Sequence, residues 1–240
     1  MDTINRCATI VEDFNGDKMR DLFVGYPDNS KVLVYLGRSR DGFSQMAVSS
    51  VIYGVEGEGL GWAIEDLGDI NGDGLSDVMV SAVYRGVVYI VYGRSNIEGN
   101  NIFLENSFNG FRIIGVMSGF TGTALACLDF NGDGVKDFAV SSLGSSAQGK
   151  VQIVYGNSSY DGRDVNLDDV TSMNILFPPF SFAGFSIAGV GDMNGDGYED
   201  LAIGSVPYQG GFLQQVTYVI YGRSSQGQGK DLLVNKMTRE

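Results

Sequence analysis

The chain has 240 residues, of which 35 are glycine and four are proline, and 43% of the residues are hydrophobic. This composition excludes a disordered chain and predicts a folded protein rich in turns. The formal net charge of −13 opposes contact with a phosphate backbone, so no nucleic-acid partner is expected.

Four acidic loops recur along the chain and define its repeats. They occupy residues 13–21, 69–77, 129–137 and 192–200, and each reads Asp-x-Asn-Gly-Asp-x-x-x-Asp. Self-similarity at such a period indicates an array of similar structural units. The sequence therefore predicts one repetitive region over residues 1–240, with repeats at approximately 1–44, 45–107, 108–171 and 172–240.

Short apolar segments of strand length flank each loop. Two follow the loop, the second ending in glycine, and they lie at 22–27 and 32–37, 78–83 and 88–93, 138–143 and 151–156, and 201–206 and 217–222. A third precedes the loop and a fourth fills the spacer, as at 62–65 and 110–115. Four short strands per repeat, with no helix-length periodic segment, predict an all-β fold: a β-propeller of four-stranded antiparallel blades. We interpret residues 231–234 as the start of a further repeat, and the chain as part of a longer array.

The loops are candidate metal sites because oxygen-bearing side chains recur at positions 1, 3, 5 and 9. Ca²⁺ takes about six to eight oxygen ligands, and a backbone carbonyl at position 7 would add another. Mg²⁺ fits less well because it holds its water and demands octahedral geometry. The predicted ligands are Asp13, Asn15, Asp17, Met19 and Asp21; Asp69, Asn71, Asp73, Leu75 and Asp77; Asp129, Asn131, Asp133, Val135 and Asp137; and Asp192, Asn194, Asp196, Tyr198 and Asp200.

An EF-hand is the alternative interpretation of these loops. It shares the Asp-x-Asn-x-Asp start but requires a bidentate glutamate at position 12 and a helix on each side. Position 12 is apolar in all four copies, being Val24, Val80, Val140 and Ile203. The EF-hand is therefore excluded, and the ninth-position aspartate is expected to close the shell.

Position 6 distinguishes the first loop from the others. Glycine there permits a left-handed backbone, and loops two to four have Gly74, Gly134 and Gly197, whereas the first has Lys18. Lys18 also adds a positive charge near the site. We therefore predict three to four bound Ca²⁺ ions, with the first loop weakest or empty.

These loops resemble those of the FG-GAP repeat, the blade unit of integrin α-subunit propellers, which also occurs in secreted enzymes such as phospholipase D-like proteins. The name-giving segments are looser here, with Gly61-Trp62 before a loop and Val24-Gly25-Tyr26-Pro27 after one. The resemblance implies a ring of seven blades, of which four are present, and Ca²⁺ loops on the face away from the ligand surface. It also implies an extracellular or cell-surface setting, although the chain shows neither a signal peptide nor a transmembrane segment.

The expected function is recognition of a protein or glycan ligand, or cell adhesion, through blade loops. Loops that differ between repeats, at 83–85, 145–149 and 207–211, are candidate contacts, with Arg85 and Tyr208 as individual candidates. The chain has no histidine, which excludes a Ser-His-Asp or Cys-His catalytic unit, and no catalytic residue is predicted. The alternative function is a propeller module of a secreted enzyme, phospholipase D-like or polysaccharide-acting, with catalysis elsewhere.

Overall fold

The computed structural model describes residues 7–38, 47–144, 149–156, 162–168, 172–178, 181–206, 216–224 and 231–234. The chain divides into two compact units. Unit 1 comprises Met1–Ile114 and Ser159–Val165, and unit 2 comprises Gly115–Ser158 and Asn166–Glu240. Each unit contains two β-sheets, so the two are considered separately below.

The described residues form 18 β-strands and two single-turn 3-10 helices, Pro27–Asn29 and Met117–Gly119. The strands are β1 (Cys7–Val11), β2 (Asp21–Tyr26), β3 (Lys31–Tyr35), β4 (Ser50–Tyr53), β5 (Leu60–Gly68), β6 (Asp77–Ala82), β7 (Val87–Val91), β8 (Ile102–Phe103), β9 (Gly110–Ile114), β10 (Leu125–Leu128), β11 (Asp137–Ser142), β12 (Lys150–Val154), β13 (Val165–Asn166), β14 (Ser172–Leu176), β15 (Ser186–Gly191), β16 (Asp200–Gly204), β17 (Thr217–Ile220) and β18 (Asp231–Leu233).

Unit 1 contains sheets of order β1-β2-β3-β4-β8 and β13-β9-β7-β6-β5. Consecutive strands pair antiparallel, as expected for neighbours joined by short turns. The strands β6 and β7 are buried along their whole length, which explains why apolar residues follow one another at 78–80 and 87–91 instead of alternating with polar ones. The core includes Phe14 and Phe23, whose rings meet edge to face at 5.0 Å.

Unit 2 contains sheets of order β10-β11-β12-β14-β18 and β15-β16-β17. The interior strand β11 is buried at all six positions, in the same way as β6 of unit 1. Phe130, Leu128 and Ile153 belong to its hydrophobic core, together with Leu201 and Ile203 of β16. The predicted fold class, all-β with four antiparallel blades of the propeller type, is confirmed.

A fifth strand on three of the sheets was not expected from the sequence. β8 pairs with β4, and β18 pairs with β14, in both cases parallel, while β13 lies beside β9 at the edge of the second sheet. Residues 231–234, interpreted from the sequence as the start of a further repeat, contribute β18 to the edge of the sheet of β10 to β14. The sheets are also offset from the predicted repeats, since β4 lies in the first sheet but after the repeat boundary at residue 44.

Neighbouring sheets within each unit approach closely through small residues. In unit 1, a Cβ atom placed on Gly25 of β2 would lie 2.0 Å from the carbonyl oxygen of Gly61 in β5. In unit 2 the corresponding pair is Ser141 and Gly184, where a Cβ on Gly184 would lie 3.0 Å from the Cβ of Ser141. Gly61 and Gly184, which precede the second and fourth acidic loops, thus pack on the strand that follows the preceding loop of the same unit.

Candidate metal centres

In each loop, the side chains at the first, third and fifth positions accept hydrogen bonds from backbone N–H groups of the same loop. In the second loop, Asp69 Oδ2 accepts the Gly74 N–H at 2.8 Å, and Asn71 Oδ1 accepts the Asp73 N–H at 2.9 Å. Asp73 Oδ1 in turn accepts the Leu75 N–H at 2.9 Å. The same three bonds recur in the other loops. The turn is therefore organised by the residues predicted as ligands.

The left-handed backbone predicted at position 6 is confirmed in every loop. Gly74, Gly134 and Gly197 have φ of 86°, 82° and 91°. Lys18 adopts φ of 65° at the same position, a conformation that costs a residue with a side chain about 1 kcal/mol or more. The first loop therefore has the same fold as the others but carries local strain.

Replacing Lys18 by glycine is expected to raise the free energy of unfolding by up to about 1 kcal/mol. Relief of the left-handed strain exceeds the entropy that glycine adds to the unfolded chain. The backbone N–H at position 18, which donates to Asp13 at 2.9 Å, is retained. Urea unfolding in chelator measures the effect, and the reverse change in the second loop, Gly74→Lys, is the matched control with the opposite expected sign. Equal stability of all three proteins would contradict this account.

The ninth-position aspartates are buried and tie the loop to the end of a later strand. Asp77, which is fully buried, accepts the Ile70 N–H at 3.0 Å and the Gly93 N–H at 2.9 Å, one with each carboxylate oxygen. The same paired bonds are made by Asp21, Asp137 and Asp200. Sequence reasoning predicted ligation for these residues and missed this structural role. The signal was the glycine that ends the second strand after each loop.

Burial raises the pKa of three of these aspartates, Asp21, Asp77 and Asp137. It raises the pKa of Asp77 and of Asp137 to about 7, because an ionised carboxylate loses its water shell there. Their N–H donors oppose this shift, whereas Asp73 and Asp69 near Asp77 reinforce it by repulsion. At the exposed end of the fourth loop, the N–H groups led by that of Gly197 lower the pKa of Asp192. Burial thus raises the pKa of the ninth-position Asp77 and Asp137, whereas N–H donation lowers the pKa of the exposed first-position Asp192.

The chemistry of the donor set fits Ca²⁺, although the loops do not gather their carboxylates closely. Within the ranges that the structure describes, no group of three or more acidic side chains is close enough to hold a metal ion. The side-chain donors at positions 1, 3 and 5 are all oxygens, each able to accept further contacts beyond its N–H bonds. Asp69, Asn71 and Asp73 and their counterparts are therefore the side chains that would hold an ion in each loop.

Position 7, predicted to supply only a backbone carbonyl, also joins consecutive loops through its side chain. The Leu75 side chain lies 3.0 Å from a Cβ placed on Gly16 of the first loop, and the Tyr198 ring 2.9 Å from one on Gly132 of the third. Backbone bonds reinforce these contacts: the Ser76 N–H donates to the Asp13 carbonyl in unit 1, and in unit 2 the Glu199 N–H donates to the Asp129 carbonyl. Loops are therefore linked in pairs within each unit.

Only one of the predicted partner-binding loops is described throughout. Arg85 in the 83–85 loop is partly exposed and forms an ion pair of 3.2 Å with the buried Glu58, which also accepts a hydrogen bond from Tyr89. Tyr84 is 42% exposed and meets Trp62 edge to face at 5.8 Å. Residues 145–148 and 207–211, including Tyr208, lie outside the described residues.

Comparison with known proteins agrees with this geometry. Residues 13–80 match the FG-GAP-like repeat, and residues 183–215 match the FG-GAP repeat. The bovine phosphatidylinositol-glycan-specific phospholipase D is 30% identical over 189 residues, which cover 73% of this chain and 22% of the relative. Fruit-fly integrin alpha-PS2 is 29% identical over 215 residues, which cover 82% of this chain and 15% of the relative. Chicken integrin alpha-V is 29% identical over 170 residues, which cover 69% of this chain and 16% of the relative.

The chain spans less than a quarter of the length of these relatives. The matched segments include the first two acidic loops, and the fourth loop together with β15 before it and β16 after it. The resemblance that the loops indicate is confirmed: residues 13–80 and 183–215 match FG-GAP-type repeats, and the chain is similar to integrin α subunits.

Proposed function

We propose that this chain is a Ca²⁺-binding recognition module that engages a protein or glycan partner in adhesion, outside the cell or at its surface. The observation that carries the proposal is the recurrence of one oxygen-lined turn in all four repeats. Asp69, Asn71 and Asp73 and their counterparts have the same bonding pattern in every loop. An isolated acidic turn needs no metal, but the recurrence of the same turn four times favours binding of the same kind of ion by each turn.

The similarity to integrins supports a protein partner for this module. Within the described residues, no helix has the length and apolar character needed to cross a bilayer. Low-affinity Ca²⁺ sites fill where Ca²⁺ is plentiful, which favours the extracellular setting. Each ion would neutralise a group of carboxylates and so stabilise the closed turn.

Calorimetric titration with Ca²⁺ tests the metal sites directly. We expect three to four ions to bind, with the first loop weakest because Lys18 brings a positive charge to its rim. Chelator is expected to lower the melting temperature by several degrees, since ions that bind only the folded state stabilise it by mass action. Asp69→Ala, Asp129→Ala and Asp192→Ala should each remove one ion. A folded chain that binds no Ca²⁺ at millimolar concentration would overturn the proposal.

The recognition role has its own test. Cells or secreted proteins should attach to a surface coated with the chain in Ca²⁺ and detach in chelator. A matched control is the chain with Asp69→Ala, Asp129→Ala and Asp192→Ala combined. Attachment that is the same for both chains in both buffers would refute Ca²⁺-dependent recognition while leaving metal binding intact.

A second candidate function is a module of a secreted enzyme, with catalysis elsewhere. It is favoured by the 30% identity to the bovine phosphatidylinositol-glycan-specific phospholipase D. Under this proposal the isolated chain would bind Ca²⁺ but support no cell attachment. The attachment experiment therefore separates the two candidates.

A further inference from the structure

Glu199, at position 8 of the fourth acidic loop, is hydrogen-bonded to the third loop of unit 2. Its Oε2 accepts the Asp129 N–H at 2.6 Å, and its own N–H donates to the Asp129 carbonyl oxygen at 3.2 Å. Asp129 is the first residue of the third loop and one of its predicted ligands. Both backbone polar groups of Asp129 are therefore held by a single residue that lies 70 positions further along the chain.

Two further contacts join the fourth repeat to the third loop. The Lys136 ammonium, at position 8 of the third loop, lies 3.1 Å from Glu199 Oε2. The Arg223 N–H, just after β17, donates to the carbonyl oxygen of Phe130 at position 2, at 2.9 Å. Positions 1, 2 and 8 of the third loop are therefore all contacted by residues of the fourth repeat.

The first two loops are joined in the same way, through a different residue. Ser76 occupies position 8 of the second loop, and its Oγ accepts the Asp13 N–H at 3.2 Å. The Ser76 N–H donates to the Asp13 carbonyl oxygen at 2.8 Å. A neutral hydroxyl thus makes in unit 1 the contact that the Glu199 carboxylate makes in unit 2. The contact therefore depends on the position in the repeat and not on the acidity of Glu199.

These contacts connect the candidate ion sites of the two loops. Asp129 accepts the N–H groups of Asp133 and Gly134 with its carboxylate, which is the first-position donor for an ion. Because Glu199 holds the backbone of Asp129, its carboxylate has less freedom to lose when an ion binds. Tyr198, next to Glu199, carries the position-7 carbonyl predicted to contact the fourth ion. Residues 198 and 199 would therefore be ordered by an ion in the fourth loop while they hold the third.

We propose that the third and fourth loops bind Ca²⁺ cooperatively, with Glu199 as the positioning residue that connects them. This inference rests on the proposed Ca²⁺ binding. Because coupling between two sites is reciprocal, an ion in either loop raises the affinity of the other. Repulsion between the two ions opposes this effect, but it is screened at about 0.15 M salt. The pair thus fills over a narrower range of Ca²⁺ concentration than two independent loops would.

Calorimetric titration with Ca²⁺ at about 0.15 M salt tests this proposal in the full chain carrying Asp13→Ala and Asp69→Ala. These two substitutions remove the ions of unit 1 and leave the pair of loops in unit 2. We expect two ions to bind with a Hill coefficient of about 1.4, which corresponds to about fivefold coupling between similar sites.

Glu199→Ala, added to the same chain, removes the acceptor of the Asp129 N–H and should lower the Hill coefficient to about 1.2. Glu199→Gln is the matched control, because it keeps an acceptor oxygen and should retain a coefficient of about 1.4. The ion pair with Lys136 that this control loses is exposed and contributes little. Melting temperatures in chelator show that each variant is folded.

The possible failures are distinguishable. Two bound ions with a Hill coefficient of 1 or below would overturn the coupling and leave the Ca²⁺ sites in place. A coefficient that Glu199→Ala does not lower, or that Glu199→Gln lowers equally, would overturn the role of Glu199. No bound ion at millimolar Ca²⁺ would overturn the proposed Ca²⁺ binding and this inference with it.

Discussion

Asp77→Ala is expected to lower the free energy of unfolding by about 3 kcal/mol, measured in chelator. The substitution removes the acceptor of two backbone N–H groups, those of Ile70 and Gly93, and each unsatisfied buried donor costs about 1–3 kcal/mol. Part of the loss is offset because the buried carboxylate is itself costly to ionise. Urea unfolding followed by circular dichroism measures the difference.

Asp73→Ala is the matched control for Asp77→Ala. Asp73 lies in the same loop but is exposed, and its carboxylate accepts only the Leu75 N–H and the Asn71 amide. In chelator its replacement should cost less than about 1 kcal/mol, while in Ca²⁺ it should also remove the stabilisation that the ion of the second loop provides. If Asp77→Ala proved as mild as Asp73→Ala in chelator, the ninth-position aspartate would be a ligand only, and the structural role assigned to it would be wrong.

Gly25→Ala is the second substitution with a large expected effect, a loss of about 3 kcal/mol in the free energy of unfolding. The new methyl group would lie 2.0 Å from the carbonyl oxygen of Gly61 and 2.8 Å from its carbon. Both atoms are backbone, so no side chain can rotate away, and the two sheets of unit 1 must separate locally. Overpacking of this kind typically costs about 1–3 kcal/mol, and the rigid neighbour places it at the upper end.

Gly119→Ala is the control for Gly25→Ala. The nearest atom to its added methyl group would be 3.7 Å away, and its backbone is not left-handed, so the stability should change by less than about 0.5 kcal/mol. Urea unfolding of both variants gives the comparison. A Gly25→Ala protein as stable as Gly119→Ala would show that the sheets of unit 1 are not held at the spacing described here.

The repeat and most strands could be predicted because their signals are local. The acidic loop fixes a turn through its own side chains, and the β-branched segments around it favour strands in any context. β8 and β18 were missed for the opposite reason. A strand of two or three residues carries no periodicity, and its pairing with β4 or β14 joins residues about 50 positions apart. Only the folded chain reveals such a contact.

The sequence predicted which residues form the candidate site, but it predicted only some of their roles. The side chains of Asp69, Asn71 and Asp73 organise the turn as the alternation of the sequence suggests. Asp77 differs because its role depends on Gly93, which lies 16 residues further along the chain and meets it only through the pairing of β6 with β7. Spacing within a nine-residue motif cannot show a partner outside the motif.

The parallel strands β8 and β18, which lie at the edges of two of the sheets, also bear on how the number of repeats in such arrays can change. β8 follows the second acidic loop in sequence, yet it covers the edge of the sheet that holds the first. Duplication or deletion of one whole repeat therefore also adds or removes the edge strand of the preceding sheet. A change in repeat number protects the sheet edges from intermolecular strand pairing only if each sheet keeps its edge strand. The sequence segment that is duplicated or deleted therefore differs from the set of strands that forms one sheet.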